Sequence, residues 1–449
     1  SSALTPPTRP TAGLEELFLG DTLNSSIPEY SPRPLQIKLA QAVGSAMDIG
    51  GIHLFEAGTG IGKSLAYIIP AVLSGRKIFV STATITLQDQ LAVKDAPSVL
   101  SALDSASRVC VLKGRNNYLC LRKWNSGSSS FKFETGFDRW VETTEDGDIS
   151  SFSEELPSAV WRHFRSDHLD CTGSSCSFRG ACYFFRARNQ ARKADVLILN
   201  HHLLISGLMS DEVLPEADVL VIDEGHRLED AASSCLGLSL SEGMLLPVYD
   251  GIAFSDIDTG EKATLLEKTR ILSAAIASLT DGINETSVWN PVDNREALEE
   301  VKAAAEQLSA AVGNTEELLP VSQAAAAVAR TAGGFMEIST GEYCCFVETG
   351  KKHPVLKGVP LDIGPDLLDT VYSRFDTTIL TSATLTVADE FDFFRSRLGA
   401  WDARVKSFGS PFDYSSQAVL SIPDNLPPHN SHEDLAVAAW DWGRKLAEV

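Results

Sequence analysis

The chain has 449 residues, 44% of them apolar and 8% aromatic, which suits a globular protein with more than one hydrophobic core. Its formal charge of −22 excludes a protein whose whole surface attracts nucleic acid, because a polyanion is bound through lysine and arginine side chains that displace its counterions. Any contact with nucleic acid must be local. The sequence shows neither a membrane-length apolar run nor a signal peptide, so we expect a cytoplasmic protein with no membrane role.

The first part of the chain contains a phosphate-binding pattern. After a flexible, polar tail predicted at residues 1–18, a strand pattern leads into AGTGIGKS at 57–64 and then into the helix-like LAYIIPAVL. Glycine N–H groups and the helix N-terminus bind phosphates in such a loop, Lys63 would reach the β- and γ-phosphates, and Ser64 would ligate Mg²⁺. We therefore predict that ATP is held by Gly58, Thr59, Gly60, Gly62, Lys63 and Ser64.

An acidic box follows at residues 217–226, where the apolar strand pattern ADVLVIDEGH ends in two carboxylates. Asp223, at the carboxyl end of the strand, is placed to hold Mg²⁺, and Glu224 is placed to polarise the attacking water. An isolated Asp-Glu pair is more often a surface turn. Combined with the phosphate loop, the pair predicts an ATPase whose catalytic residues are Lys63, Asp223 and Glu224.

The cysteine pattern predicts a metal centre. Five of the eight cysteines lie between residues 110 and 182, which is a poor disulfide framework. Cys171, Cys176 and Cys182 are irregularly spaced, and Cys120 lies far upstream. Structural zinc sites usually contain short CxxC pairs, so this spacing favours a [4Fe–4S] cluster, with zinc as the alternative. Cys110 could replace Cys120 as the remote ligand, but its strand-like surroundings favour packing.

Three further patterns concern ligands. Strand patterns at 77–91 and 377–386 end in Ser/Thr-rich turns, which resemble helicase motifs that contact a nucleic acid backbone; Thr82 and Thr84 are the candidates. Arg33 and Gln36 precede an amphipathic helix and match the adenine-reading element of such enzymes. Two basic runs without acidic residues, 108–123 and 179–193, flank the cysteines. Solvated surface charge is the simpler interpretation of each run taken alone.

These motifs together resemble the XPD/DinG group of superfamily 2 iron–sulfur DNA helicases, most closely the bacterial DinG and YoaA branch. Ala57, in place of the first loop glycine, is common in superfamily 2. The resemblance covers about residues 30–426 and rests on EAGTGIGKS, STATITLQDQL, LKGRNNYLCL, the clustered cysteines, ADVLILNHHLL, VIDEGH, TSATL and SPFDY. It implies an ATP-dependent helicase that moves 5′ to 3′ on single-stranded or forked DNA. It also implies cluster ligation by Cys120, Cys171, Cys176 and Cys182, and DNA contacts from Arg115, Asn117 and Tyr118.

The resemblance and the helical periodicity within residues 261–334 predict an α/β fold built on a RecA-like motor domain with a parallel sheet. The motor would comprise residues 19–109, 195–235 and 371–414, interrupted by an iron–sulfur domain at 110–194 and a helical arch at 236–370. The arch would contain a β-hairpin with a turn near Gly350. A helical regulatory bundle without a DNA role is the alternative for the arch. Residues 415–449 would begin a second RecA-like domain that is largely absent.

No QxxGRxxR-like segment occurs in the sequence, so we expect this chain to bind ATP and DNA but to turn ATP over slowly. An arginine finger contributes about 10³–10⁵ in rate in P-loop enzymes. The competing interpretations are a redox-responsive single-strand binder or partner platform, and a small-molecule P-loop kinase. We expect a monomer that works with a replication or repair protein. Tyr118 and Phe184 could stack on bases or pack around the cluster.

Overall fold

The computed structural model describes residues 13–27, 30–127, 136–168, 171–210, 214–312, 318–339, 341–350, 353–417, 426–428 and 431–446. The chain divides into two compact units, Ser1–Gly409 and Ser410–Val449. In the second unit the described residues form helices Tyr414–Gln417 and His432–Leu446. Their assignment to a second motor domain stays a prediction.

The core of the first unit is a parallel sheet of seven strands. Strands Ile78–Thr82 and Val219–Asp223 are buried at every position, as expected for parallel strands covered on both faces. In chain order, the strands of this sheet are β1 (Gly51–Glu56), β2 (Ile78–Thr82), β3 (Val109–Val111), β4 (Val196–Asn200), β5 (Val219–Asp223), β10 (Thr377–Ser382) and β11 (Arg404–Ser407). Their spatial order is β11-β1-β10-β5-β2-β4-β3, and every pair is parallel. The predicted α/β fold is confirmed.

Helices cover both faces of this sheet and build two hydrophobic cores. Leu54 belongs to one core and Phe55 to the other, because successive strand residues point to opposite faces. The helices of the first unit are α1 (Leu14–Leu19), α2 (Asp21–Ser26), α3 (Pro34–Ile49), α4 (Lys63–Ser74), α5 (Ile85–Gln90), α6 (Ala96–Ala102), α7 (Leu121–Gly127), α8 (Gly136–Thr143), α9 (Ser158–Phe164), α10 (Tyr183–Ala191), α11 (His201–Met209), α12 (Leu228–Leu236), α13 (Leu246–Phe254), α14 (Thr259–Ser278), α15 (Arg295–Ala311), α16 (Leu319–Glu337), α17 (Gly364–Thr370) and α18 (Asp392–Arg397).

The segment between β3 and β4 has a small core of its own. Leu119, Phe137 and Phe164 are fully buried there, and Trp140 stacks on Phe137 with ring centroids 5.5 Å apart. Helices α7 to α10 surround this cluster. The cysteine-bearing segment is therefore a structured insertion in the motor fold.

The segment between β5 and β10 has a third core, formed by helices α13 to α16 and an antiparallel sheet. The sheet contains β6 (Leu238–Leu240), β7 (Ser287–Val288), β8 (Tyr343–Glu348) and β9 (Val355–Pro360), in the order β6-β9-β8-β7. Strands β8 and β9 form the hairpin expected near Gly350. Two further strands extend it. In the described part of the chain, none of the helices has both the length and the apolar character needed to cross a membrane.

Candidate nucleotide and DNA site

The phosphate loop connects β1 to α4 at one edge of the parallel sheet. Gly60 and Gly62 have φ angles of +80° and +88°, a left-handed conformation that favours glycine. Gly62 caps α4, so Lys63 and Ser64 occupy its first turn. A Cβ atom at Gly62 would also collide with the side chain of Gln36. Two independent constraints therefore require glycine at this position, and the helix N-terminus faces the loop as a phosphate site requires.

Arg33 and Gln36 contact the phosphate loop directly. Arg33 Nη1 donates to the Gly60 carbonyl at 2.6 Å, and Gln36 Nε2 donates to the Gly62 carbonyl at 3.0 Å. Gln36 is 2% exposed, and its Oε1 accepts no hydrogen bond from the described residues. The two residues therefore brace the loop, and their contact with adenine stays a prediction.

The catalytic residues predicted from the sequence converge at this edge. Lys63 Nζ lies 3.1 Å from Glu224 Oε1. Glu224 directly follows β5 and has a φ angle of +53°, an unusual conformation for a residue with a side chain. Asp223 is 7% exposed, and its pKa is raised to about 6, mainly by burial and also by the Glu224 charge, while Lys63 opposes the shift. Mg²⁺ prefers oxygen ligands, and the Asp223 carboxylate and the Ser64 hydroxyl are ligands of this kind.

Histidines connect the acidic box to the hydroxyl-rich strand ends. His226 Nδ1 lies 2.7 Å from Ser382 Oγ and 3.4 Å from Glu224 Oε2. His201 Nδ1 lies 2.7 Å from Ser81 Oγ, and burial lowers the pKa of His201 to about 4. His201 is therefore neutral at physiological pH. The strand ends at Ser81 and Ser382 are thus hydrogen-bonded to histidines that flank the carboxylates predicted to be catalytic.

Glu56 is a site residue that sequence reasoning missed. Its Oε2 accepts from the N–H groups of Leu385 and Thr386 at 2.8 and 2.7 Å, and Oε1 accepts from Ser407 Oγ at 3.1 Å. Burial raises the pKa of Glu56, but these hydrogen bonds outweigh burial and lower it. Glu56 fixes the TSATL turn beside the phosphate loop. Its only signal in the sequence is its position directly before AGTGIGKS.

The two threonines predicted to contact DNA lie at the end of β2. Thr82 is fully buried, and its hydroxyl donates to the Thr84 carbonyl at 3.1 Å. Thr84 is exposed and caps α5, where its hydroxyl accepts from the Leu87 N–H at 3.3 Å. Burial of Thr82 favours a structural role for its side chain. Thr84 keeps an exposed position from which a backbone contact is possible.

The first basic run is not the open surface that its sequence indicates. Lys113 is 3% exposed and pairs with Asp89 and Asp148, both at 2.8 Å. Arg108 pairs with Asp195 at 3.4 Å. These acids lie outside the run. Lys113 is therefore not part of an open basic surface, whereas Arg108 stays on the surface as part of an exposed ion pair.

The residues expected near the DNA strand pack against one another. Tyr118 and Phe184 are 4% and 3% exposed, with ring centroids 5.8 Å apart, which favours core packing over base stacking. The Arg115 guanidinium lies 4.1 Å from the centre of the Phe184 ring. Asn117 Nδ2 donates to the Gly114 carbonyl at 2.9 Å. We therefore assign no base contact to Tyr118.

The second basic run, in contrast, forms an open surface along α10. Arg179, Arg186 and Arg192 are exposed, and Arg179 lies 4.1 Å from the centre of the Phe185 ring. A cavity of about 350 Å³ is lined by Arg179, Gly180, Phe185, Arg186, Arg188, Asn189 and Arg192. Its lining combines four guanidinium groups and one aromatic ring with no carboxylate. We call this surface the arginine face.

The four predicted cluster ligands lie in the β3–β4 insertion. Cys120 directly precedes α7, and its N–H donates to the Phe164 carbonyl at 2.8 Å. Cys182 caps α10, and the Cys176 carbonyl accepts from the Arg179 N–H at 3.0 Å. All four, Cys171 included, are half-buried, whereas Cys110 lies in β3 of the motor sheet. Across the described ranges, no three His, Cys, Asp or Glu side chains come together as a metal site.

The donor set nevertheless suits an iron–sulfur cluster chemically. Four thiols are available, and Arg179 and Arg186 lie on the same segment as Cys176 and Cys182. Nearby guanidinium charge stabilises thiolates, which are the ligands such clusters require. Residues 169–170, beside Cys171, lie outside the described part.

A parallel sheet with a phosphate loop and an acidic box at one edge defines a P-loop ATPase with a RecA-like motor fold. The DEAD_2 family model matches residues 92–245. The chain is 32% identical over 440 residues to the ATP-dependent DNA helicase YoaA of Escherichia coli K12, covering 91% of this chain and 68% of that protein. It is 28% identical over 482 residues to the ATP-dependent helicase DinG of Mycobacterium tuberculosis H37Ra, covering 91% and 70%.

A solved structure agrees with this fold. An XPD helicase structure matches with a TM-score of 0.51 and 16% identity, over 84% of this chain and 62% of that one. At this identity the match speaks for the fold alone. The identity to YoaA shows that the chain belongs to the YoaA/DinG family of ATP-dependent helicases.

Proposed function

We propose that this chain is the part of a 5′ to 3′ DNA helicase that contains the ATP-binding motor and binds DNA. The observation that carries the proposal is the convergence of Lys63, Asp223 and Glu224 beside the phosphate loop, with His226 bonded to the strand end at Ser382. Lys63 binds the β- and γ-phosphates, Asp223 and Ser64 hold Mg²⁺, and Glu224 polarises the attacking water.

Lys63 pairs with Glu224, so its ammonium group has to exchange this carboxylate for phosphate oxygens when ATP binds. Phosphate oxygens are stronger partners for the Lys63 ammonium than one carboxylate, because they carry more charge. ATP therefore draws Lys63 away from Glu224, and the carboxylate becomes available to a water molecule. Because His226 contacts both Glu224 and Ser382, a movement of Glu224 changes the contacts of the TSATL strand end through His226.

The arginine face is the surface that we assign to single-stranded DNA. The chain as a whole is acidic, so binding needs a local patch whose charge displaces counterions from phosphates. Arg179, Arg186 and Arg192 supply that charge, and the half-buried Phe185 supplies an aromatic surface beside it. Guanidinium groups and aromatic rings together are the usual sequence-tolerant contacts to single strands.

Replacing Arg186 and Arg192 together with alanine is expected to weaken single-strand binding and DNA-stimulated ATP hydrolysis. Each lost phosphate contact lowers the salt slope of binding to a single strand by about 0.7, so the double variant should lose about 1.4. Fluorescence anisotropy of labelled single-stranded DNA at several salt concentrations measures the slope. A coupled assay with and without DNA measures stimulation of ATP hydrolysis.

The matched control is Lys38→Ala with Arg139→Ala, which removes the same formal charge from exposed positions on α3 and α8. The control should keep the wild-type salt slope. Equal salt slopes for both double variants would show that DNA binds a surface other than the arginine face. Wild-type binding without any stimulation of ATP hydrolysis would favour the single-strand binding platform over the motor.

We also propose that Cys120, Cys171, Cys176 and Cys182 hold a [4Fe–4S] cluster that fixes the insertion beneath the arginine face. The support is the chemistry of the donor set, since four thiols and adjacent arginines suit a thiolate-bound cluster. When bound, the cluster supplies a rigid cross-link between α7 and the loop before α10. This cross-link would keep Arg179 and Arg186 in place on the arginine face.

Anaerobically purified protein is expected to contain about four irons and four sulfides per chain and to be brown. Cys176→Ser should lose most of this iron. Cys344→Ser, an exposed cysteine on β8, is the control and should retain it. A colourless wild-type protein with one zinc per chain would contradict the cluster and support a zinc site instead.

A further inference from the structure

Both predicted magnesium ligands have polar neighbours that the sequence motifs do not include. The Tyr67 hydroxyl donates to Asp223 Oδ2 at 3.0 Å, and Tyr67 is 1% exposed. The other oxygen, Asp223 Oδ1, accepts from the Glu224 N–H at 3.0 Å. Each oxygen of the buried carboxylate therefore has a donor, and these two hydrogen bonds fix the orientation of the carboxylate.

Ser64 has a carboxylate neighbour, Asp95. Burial raises the pKa of Asp95, and the Ser64 hydroxyl opposes this shift. Ser64 and Tyr67 are three residues apart in α4, so they share one face of that helix.

Local backbone geometry places Asp95 at the site. Leu91–Asp95 forms one turn of π-helix between α5 and α6 and packs against α4. Such turns are rare, and they occur frequently at functional sites because they redirect a side chain. Here the turn brings a second carboxylate to the helix that carries Lys63 and Ser64.

We propose that Tyr67 and Asp95 are positioning residues for the magnesium ion of bound ATP. Tyr67 orients Asp223. Asp95, which the π-turn brings to α4, would accept a hydrogen bond from the Ser64 hydroxyl and so leave a Ser64 lone pair for the metal. The inference rests on the proposed binding of ATP-Mg at the phosphate loop. Partners of metal ligands that act in this way change metal affinity by about 10–100-fold when they are removed.

The test compares the affinity of a fluorescent ATP analogue in EDTA with its affinity at increasing Mg²⁺ concentrations. Tyr67→Phe should leave the affinity in EDTA within about twofold of wild type and raise the Mg²⁺ concentration at half-effect by about 10–100-fold. Asp95→Ala should shift the Mg²⁺ requirement in the same direction. Melting temperatures in EDTA show whether each variant is folded.

Two controls match the chemistry of the changes. Tyr372→Phe removes another buried tyrosine hydroxyl, one with no hydrogen-bond partner among the described residues, and Lys94→Ala changes an exposed residue in the π-turn. Both should keep the wild-type Mg²⁺ requirement. Unchanged Mg²⁺ requirements in folded Tyr67→Phe and Asp95→Ala would overturn the inference. Failure of the wild-type chain to bind the analogue at all would instead overturn the proposed function.

Discussion

Replacing Lys113 with alanine is expected to lower the free energy of unfolding by about 3–5 kcal/mol, the usual result of removing one partner of a buried ion pair. Lys113 Nζ lies 2.8 Å from Asp89 Oδ1, Asp148 Oδ2 and Ser150 Oγ. Burial lowers the pKa of Lys113, but hydrogen bonds to the two carboxylates outweigh this and raise it. Without the ammonium group, Asp148 keeps a charge at 9% exposure with no cation beside it. Urea unfolding followed by tryptophan fluorescence measures the loss.

Arg108→Ala is the control, because it breaks an ion pair that is largely exposed. The side chains of Arg108 and Asp195 are 64% and 37% exposed, and such pairs contribute about 0–1 kcal/mol. Lys113→Met with both aspartates changed to asparagine removes the charges together and should recover part of the stability. If Lys113→Ala and Arg108→Ala destabilise equally, burial of the Lys113 network contributes nothing.

The Lys113 network also connects two parts of the first unit. Asp89 lies on α5, the helix that follows β2 and is capped by Thr84, whereas Asp148 lies in the β3–β4 insertion. Gln88 adds a second link, since its Nε2 donates to the Leu112 carbonyl at 3.3 Å. The helix that follows the predicted DNA-contacting strand is therefore fastened to the insertion that carries the arginine face.

The convergence of Lys63 and Glu224 was predictable because the signals for it are local. A strand, a glycine loop and a helix start follow one another within residues 51–74, and the acidic box sits at a strand end. Parallel strands bring their carboxyl ends to one edge of a sheet, so Lys63 and Glu224 meet although 161 positions separate them.

The remaining features depend on contacts between distant parts of the chain. The run 108–123 contains no acid, yet Lys113 is neutralised by Asp89 and Asp148, which no local pattern connects to it. Tyr118 and Phe184 are likewise buried against each other across the insertion. The sheet in the second insertion includes β7, whose two residues are too few for a period to be read. Propensity and spacing do not encode such pairings.

Glu224→Gln is expected to reduce ATP hydrolysis by about 10²–10⁴-fold while ATP binding is retained. Glutamine has the size of glutamate but carries no charge, so it cannot polarise or deprotonate the attacking water. The phosphate loop, Ser64 and Asp223 are untouched, and Lys63 loses the carboxylate with which it pairs at 3.1 Å. Affinity for ATP should therefore be equal to wild type or higher. Single-turnover hydrolysis of labelled ATP, with analogue binding measured in parallel, gives both quantities.

Glu216→Gln supplies the control, since Glu216 is an exposed carboxylate just before β5. It should hydrolyse ATP at the wild-type rate. A Glu224→Gln protein that hydrolyses ATP as fast as Glu216→Gln would show that another group activates the water. A variant that loses ATP binding together with hydrolysis would show that the left-handed backbone at residue 224 needs the carboxylate to keep its shape. Only loss of hydrolysis with binding intact identifies Glu224 as the residue that acts on water.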